Sequence, residues 1–294
     1  MDRRVATLVG LAAILMWSTL ALFTAASGAV PPFLMTALCF GISGVVGAAI
    51  VFARSGSLAV LLQPWPVWLL GVGGLFGYHF FYFTALKAAP PVEAGLICYL
   101  WPLLIVVLSG LLPGERLKPH HLVGAVLGLV GAGLIVTRGG GLDFSSAYAL
   151  GYGAALVAAV IWAVYSVVSR RFGDVPSDAV VGFCLATAVL SAICHVALEE
   201  TIWPSGGVEW FAVVLLGLFP VGLAFFVWDI GVKKGDIQVL GAASYAAPLL
   251  STLFLIAFGF SAFSWPVGVA CLLISGGGLI AAKDMLFRRR PATA

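Results

Sequence analysis

Residues Tyr82–Val136 read YFTALKAAPPVEAGLICYLWPLLIVVLSGLLPGERLKPHHLVGAVLGLVGAGLIV. Two apolar runs, Leu103 to Leu112 and Leu122 to Val136, are separated only by the short polar segment Pro113 to Pro119. Crossing the hydrocarbon core of a bilayer takes about 20 mostly apolar residues in an α-helix. A spanning strand would instead alternate apolar and polar over ~10 residues, and these runs do not alternate. Outward from this stretch, the same ruler predicts ten helices, over 5–26, 33–53, 66–86, 92–112, 119–137, 148–169, 178–198, 210–231, 237–259 and 264–286. The breaks between them are thin. They fall at Pro31–Pro32, Arg54 to Gln63, Pro90–Pro91, Pro113 to Pro119, Arg138 to Ser146, Arg170 to Ser177, Glu199 to Glu209, Lys233 to Asp236 and Phe260 to Ser264. None can hold a domain, so the predicted fold class is an all-α polytopic membrane protein.

Composition agrees. Of 294 residues 62% are hydrophobic and 9% charged, with a mean hydropathy of +1.13, against about 25% charged in an ordinary soluble domain. The first apolar run exceeds the ~7–15 residues of a signal-peptide core, so it is read as a retained helix. With ten helices and the N-terminus inside, Arg3, Arg4, Arg54, Arg116, Lys118, Arg170, Arg171, Lys233, Lys234, Lys283 and Arg288–Arg290 fall inside, and only Lys87 and Arg138 outside. That asymmetry is the positive-inside rule. It predicts both termini in the cytoplasm and the even count. The net charge of +3 is mostly this orientation signal; it leaves no basic surface for nucleic acid, while Arg288–Arg290 can meet anionic headgroups. The five cysteines, Cys39, Cys98, Cys184, Cys194 and Cys271, all fall within predicted helices without metal-ligand spacing, and read as packing residues.

The chain also repeats itself. At an offset of 146, Tyr82 to Lys87 aligns with Trp228 to Lys233, Tyr99 with Tyr245, and Pro102-Leu103-Leu104 with Pro248-Leu249-Leu250; Trp17 pairs with Trp162 at 145. The halves are 1–146 and 147–294, five helices each. Five is odd, so the second copy starts on the opposite side of the membrane and the repeats are inverted. Inverted repeats are a common plan of secondary transporters, which bind substrate near the midplane and alternate access to it.

The stretch Tyr82–Val136, with Pro102, Gly114-Glu115-Arg116 and the glycine-rich helix after them, resembles the EamA repeat of the drug/metabolite transporter superfamily. The likeness covers essentially the whole chain. Within that superfamily the chain is similar to bacterial aromatic amino acid exporters. The resemblance implies ten helices in a five-plus-five inverted arrangement, a bacterial inner-membrane location, and outward movement of small aromatic or amphipathic solutes, with no ATPase subunit and no cofactor. One departure stands out: Phe260-Ser261-Ala262 occupies the place of Gly114-Glu115-Arg116 in the second half. A helix-end or loop contact is therefore expected of Glu115 and Arg116 rather than a transport role.

Tryptophan and tyrosine usually gather at membrane interfaces. Trp65, Trp68, Trp203, Trp210 and Trp265 fall near helix ends and fit such belts; Trp17, Tyr78, Tyr82, Tyr99, Trp101, Trp162, Tyr165, Trp228 and Tyr245 fall deeper. Tyr78 and Tyr82 share a face with His79 on the third helix. Pro102 and Pro248 each free a backbone carbonyl one turn earlier, near Tyr99 and Trp101 in one half and Ser244 and Tyr245 in the other. Polar groups at that depth need partners, which a water-filled cavity supplies. The expectation is a substrate cavity among helices 1, 3, 4, 6, 8 and 9, lined by Trp17, Tyr78, His79, Tyr82, Tyr99, Trp101, Trp162, Trp228, Ser244 and Tyr245, with Pro102 and Pro248 as hinges. The competing reading packs these rings between helices. A cavity of such rings suits a flat zwitterion, through ring contacts and an ammonium over a ring face.

His79 can serve as a ligand or proton carrier, or bond a backbone carbonyl. Asp229 is placed to pair with Lys233 four residues on, Glu93 to stabilise a helix start, and Lys87 and Lys233 to reach their interfaces. Gly73, Gly77, Gly124, Gly128, Gly131 and Gly276–Gly278 offer small helix-packing faces. No phosphate loop and no HExxH or GxSxG pattern occurs, which argues against an ATP-driven pump and the common hydrolases. A membrane scaffold would leave the inverted repeat and the deep tyrosines unexplained. The function read from the sequence is a secondary transporter, not an enzyme; the alternatives are a broad drug and metabolite exporter and, in a different class, an intramembrane enzyme, for which His79 with a nearby serine is too weak a case.

Overall fold

A computed structural model describes residues 1–142, 144–257 and 262–287. Ten apolar helical segments follow one another: α1 (Arg3–Ala26), α2 (Pro32–Ser55), α3 (Trp65–Ala88), α4 (Pro91–Ser109), α5 (Pro119–Val136), α6 (Ser146–Phe172), α7 (Ser177–Leu198), α8 (Gly207–Lys234), α9 (Ile237–Ala257) and α10 (Trp265–Ala281). Nine are long and apolar enough to cross a membrane, and α10 is a shorter apolar helix. Pro32, Pro66, Pro91, Pro119 and Pro266 stand in the first turns of their helices, where the missing N–H costs nothing.

Two ends differ from their predicted positions. The helix predicted over 92–112 stops at Ser109, because the amides of Gly110, Leu111 and Leu112 bond carbonyls three residues back and tighten the chain into turns. The helix predicted over 264–286 stops at Ala281, and a separate short helix, Lys283–Phe287, follows. Phe260, Ser261 and Arg288–Arg290, which the sequence reading singled out, lie outside the described residues.

The main packing pairs cross between the two copies of the inverted repeat. The first half of α1 packs on the second half of α8, and the second half of α3 packs on α6; α2 packs on α7, α4 on α9, and α5 on α10. Each pair maps onto itself or its counterpart when the copies are exchanged. The α5–α10 seam is the closest: a Cβ on Gly124 would lie 2.4 Å from the carbonyl oxygen of Gly277, and one on Gly277 would lie 2.6 Å from that of Gly124. Only glycine allows the two backbones to meet. Gly73, Gly276 and Gly278, also expected on packing faces, have no neighbour within 4 Å of a built Cβ.

The helices around the centre are interrupted. Chains run as π-turns at Gly73–Gly77 in α3 and Phe219–Leu223 in α8, positions that match at the 146-residue offset. α4 breaks between Cys98 and Trp101, and α9 between Ala243 and Ala246, within one residue of the same offset. These breaks are where the two prolines were expected to loosen the helix. α1 breaks as well, at Ser18–Thr19, where both hydroxyls donate to carbonyls three residues back. Its counterpart α6 has Ala163 and Val164 there and runs unbroken. Side-chain competition for backbone carbonyls accounts for the difference.

The near end of the bundle holds the start of α1 and the end of α10. Here Arg3 bonds Glu115 at 3.0 Å and Asp236 at 3.1 Å, while Arg170 bonds Glu115 at 2.6 Å and the carbonyls of Val232 and Gly235 at 2.9 and 2.8 Å. The network ties α1, the α4–α5 loop, α6, the end of α8 and the start of α9. Glu115 thus makes a loop contact, and that contact joins elements of both repeats. Asp229 pairs with Lys233 at 2.8 Å and accepts from Ser177. Lys233 does not reach an interface: its side chain is 5% exposed and donates to the Val175 carbonyl. At the far end Lys87 lies half in solvent, 3.8 Å from Glu199, which also accepts the amides of Phe33 and Leu34 at the start of α2.

Candidate substrate cavity

A cavity of about 170 Å³ lies where the interrupted helices converge. Its wall takes Trp17 and Leu20 from α1, Tyr78, His79 and Tyr82 from α3, Gly95, Cys98, Tyr99 and Trp101 from α4, Trp162 from α6, Pro220, Val221 and Phe225 from α8, and Ala247 from α9. These are the six helices named from the sequence. Toward the far end the cavity continues into a larger space of about 870 Å³, sharing Tyr78, His79, Tyr82 and Tyr99 and reaching Gly28, Val30, Pro32, Leu86 and Thr252.

Toward the near end the cavity is closed by rings. Trp228 is fully buried, its centroid 5.0 Å from Trp17 and 6.0 Å from Trp101, and its indole N–H donates to Ser166 at 3.1 Å. Trp162 stands 5.8 Å from Trp17 and 5.4 Å from Tyr78. Beyond this floor lie the packed apolar residues Ile14, Ile105 and Val232, and then the arginine–carboxylate network. Among the described residues, access from the central cavity thus runs toward the far end.

Of the ten expected binding residues, seven reach the cavity surface: Trp17, Tyr78, His79, Tyr82, Tyr99, Trp101 and Trp162. Three do not. Trp228 forms the floor behind Trp17. Ser244 is fully buried and bonds the Leu240 carbonyl, and Tyr245, also fully buried, accepts the Leu103 amide at 3.1 Å. Pro102 has no N–H for the broken ladder of α4, and this cross-helix bond uses the neighbouring amide. Tyr245 is therefore a pin between α9 and α4. Pro102 is buried in the first turn after the break, while Pro248 lines the larger space. The sequence reading missed Phe225; the repeat would have found it, since 225 is 79 plus 146.

The chemistry of the wall is aromatic and uncharged. No Asp, Glu, Lys or Arg lines either space among the described residues. Tyr78 and Tyr82 stack with centroids 5.8 Å apart, and the Cys98 thiol donates to the Tyr78 hydroxyl at 3.7 Å. His79 bonds the Leu75 carbonyl through Nδ1 at 2.7 Å; that oxygen belongs to the π-turn, an element common at functional sites. Ring faces accept cations and other rings, so this enclosure can hold a small aromatic solute.

One group with metal-ligand chemistry stands elsewhere, at the near end: His120, His121 and Asp284 have ligand atoms within 4.8 Å of one another. Lys118 already bonds Asp284, holding its carboxyl below the usual carboxylate range. His121 Nδ1 accepts the Lys118 amide and caps α5.

Comparison with known proteins follows the same architecture. An aromatic amino acid exporter YddG of Ancylobacter novellus is 59% identical over 290 residues, covering 98% of this chain and 100% of that protein. The protein of the same name from Escherichia coli is 25% identical, covering 95% of this chain and 97% of its own length. A solved crystal structure 58% identical in sequence superposes with a TM-score of 0.92, over 98% of this chain and 100% of the other. The model of the EamA-like transporter family matches twice, at residues 4–137 and 149–282. Together the repeated match, the inverted ten-helix bundle and the central cavity place this chain in the EamA-like transporter family.

Proposed function

We propose that this transporter exports aromatic amino acids across the bacterial inner membrane, with both termini in the cytoplasm and the chain divided into the two inverted repeats 1–146 and 147–294. The observation that carries the proposal is the uncharged cavity walled by Trp17, Tyr78, His79, Tyr82, Tyr99, Trp101, Trp162 and Phe225. An aromatic side chain gains ring contacts of about 0.5–1.5 kcal/mol each, and the names of the relatives point to the same solutes. The partners in this reading are the solute and the lipid bilayer, with no ATPase subunit called for.

In this reading the far end faces the periplasm, and the state described is open outward. The ring floor and the arginine–carboxylate network close the cytoplasmic end. Rocking of the four-helix part of each repeat about the cavity opens that end and closes the other, with the breaks beside Pro102 and Pro248 as hinges. The test is counterflow of labelled phenylalanine in proteoliposomes, competed by tryptophan, threonine and a cationic dye. Competition by tryptophan alone is the expected result; equal competition by the dye supports a broad drug exporter instead. Tyr78→Ala, Tyr99→Ala and Trp101→Ala should each cut flux at least tenfold while the protein remains monodisperse in detergent. Unchanged flux in all three overturns the cavity assignment.

A further inference from the structure

The two copies of the repeat place different chemistry side by side on the wall of the cavity. His79 on α3 and Phe225 on α8 occupy matched positions, both line the cavity, and their ring centroids are 6.4 Å apart. His79 is held edge-on by Phe40 at 5.2 Å and by Tyr78 at 5.2 Å. Its Nδ1 lies 2.7 Å from the Leu75 carbonyl oxygen. A carbonyl oxygen only accepts, so Nδ1 carries the proton. Among the described residues no carboxylate lines either space to balance a charge on the ring, and a neutral imidazole avoids burying an unpaired charge. The other nitrogen, Nε2, is then a bare lone pair, with no protein partner among the hydrogen bonds of the described residues.

Every other polar side chain lining the inner cavity is a hydroxyl, an indole N–H or a thiol; the hydroxyls can accept as well as donate, but only His79 offers a nitrogen lone pair. We infer that His79 Nε2 is the acceptor for the ammonium group of the solute, and that the His79–Phe225 difference fixes which way round an amino acid lies between the two repeats. This rests on the proposed reading of the cavity and adds the pole that reading leaves open. An ammonium held this way gains a directed hydrogen bond on one wall and ring faces beside it. A carboxylate placed there would set an anion against a lone pair.

The test separates the two nitrogens. In His79→Asn the side-chain amide lies near the place of Nδ1 and can keep the bond to Leu75, but nothing replaces Nε2. In His79→Gln the amide reaches the place of Nε2 and the Leu75 bond is given up. Phenylalanine counterflow is competed by phenethylamine, which has the ammonium alone, and by 3-phenylpropionate, which has the carboxylate alone. The expected result is at least a tenfold weaker inhibition by phenethylamine in His79→Asn, less than threefold weaker in His79→Gln, and phenylpropionate inhibition within twofold of wild type in both. The reverse order, with His79→Asn like wild type and His79→Gln impaired, makes His79 a purely structural residue and overturns the inference. So does an equal loss for both competitors. Absence of phenylalanine flux in the wild-type protein overturns the reading of the cavity itself, a distinct outcome. Phe225→His on a His79→Phe background should restore inhibition by phenethylamine from the adjoining position on α8.

Discussion

Glu115→Gln should release the near end of the bundle. In the state described, the Glu115 side chain is 7% exposed and receives Arg170, 18% exposed, at 2.6 Å and Arg3, 47% exposed, at 3.0 Å. Removing one member of a buried ion pair costs about 3–5 kcal/mol. Arg170 keeps two backbone carbonyls, at 2.9 and 2.8 Å, and glutamine can still accept a hydrogen bond, which lowers the loss to about 2 kcal/mol. The arm to the half-exposed Arg3 adds about 0–1 kcal/mol. Once the near end opens, water solvates all of these groups, so the loss falls on the closed state alone. At 1.4 kcal/mol per factor of ten, the ratio of the two states shifts roughly 30-fold toward near-end-open. The assay is the distance distribution between spin labels at the exposed positions 116 and 234, in a background whose native cysteines have been replaced. A new, longer population is expected in Glu115→Gln. Asp178→Asn, which breaks the Arg54–Asp178 pair between α2 and α7 at the same end, should not produce it. An unchanged distribution in a folded Glu115→Gln protein refutes the idea that this network is the latch.

Three further outcomes follow from the packing. Gly124→Ala drives a methyl to 2.4 Å from the Gly277 oxygen and should cost about 1–3 kcal/mol of stability in detergent melting curves, while Gly276→Ala, facing open space, should not destabilise. Tyr245→Phe leaves the Leu103 amide without its acceptor and should lower stability by about 1–3 kcal/mol, leaving competition constants for bound solute unchanged. Asp284→Asn should change stability by less than about 1 kcal/mol, because both partners of the Lys118–Asp284 pair are half exposed. Its sign is fixed by the depressed carboxyl: the pair contributes above the ordinary carboxylate pKa of about 4 and fades as pH falls through the lower folded value. The melting difference between wild type and Asp284→Asn should shrink accordingly in acid.

Hydropathy alone carries far into this molecule, because lipid imposes length and apolarity on every spanning helix. Ten helices, their inverted duplication and the six that line the cavity were all legible. Depth along a helix was legible too, which is why seven of the expected rings reach the cavity. Rotation about the helix axis was not. In a soluble helix a polar face gives the phase; in α8 and α9 nearly every face is apolar, so nothing local shows that Trp228 and Tyr245 turn behind the wall while Phe225 turns into it. The burial of Lys233 escaped for a related reason: a lysine near a helix end usually reaches water, and only the fold brings the Val175 carbonyl to it. The break at Ser18–Thr19 had a local signal, two adjacent hydroxyls where the other repeat has Ala163 and Val164.

The lack of formal charge in both cavity linings, among the described residues, bears on the energetics of passage. Moving one elementary charge through a membrane potential involves about 2.3 kcal/mol per 100 mV. A zwitterion has no net charge, and the walls that enclose it have none to carry along. For such a cargo the voltage across the membrane does no work on the passage. A zwitterion that crosses without a companion ion would follow its concentration ratio, and a dependence of its flux on voltage would reveal an ion moving with it.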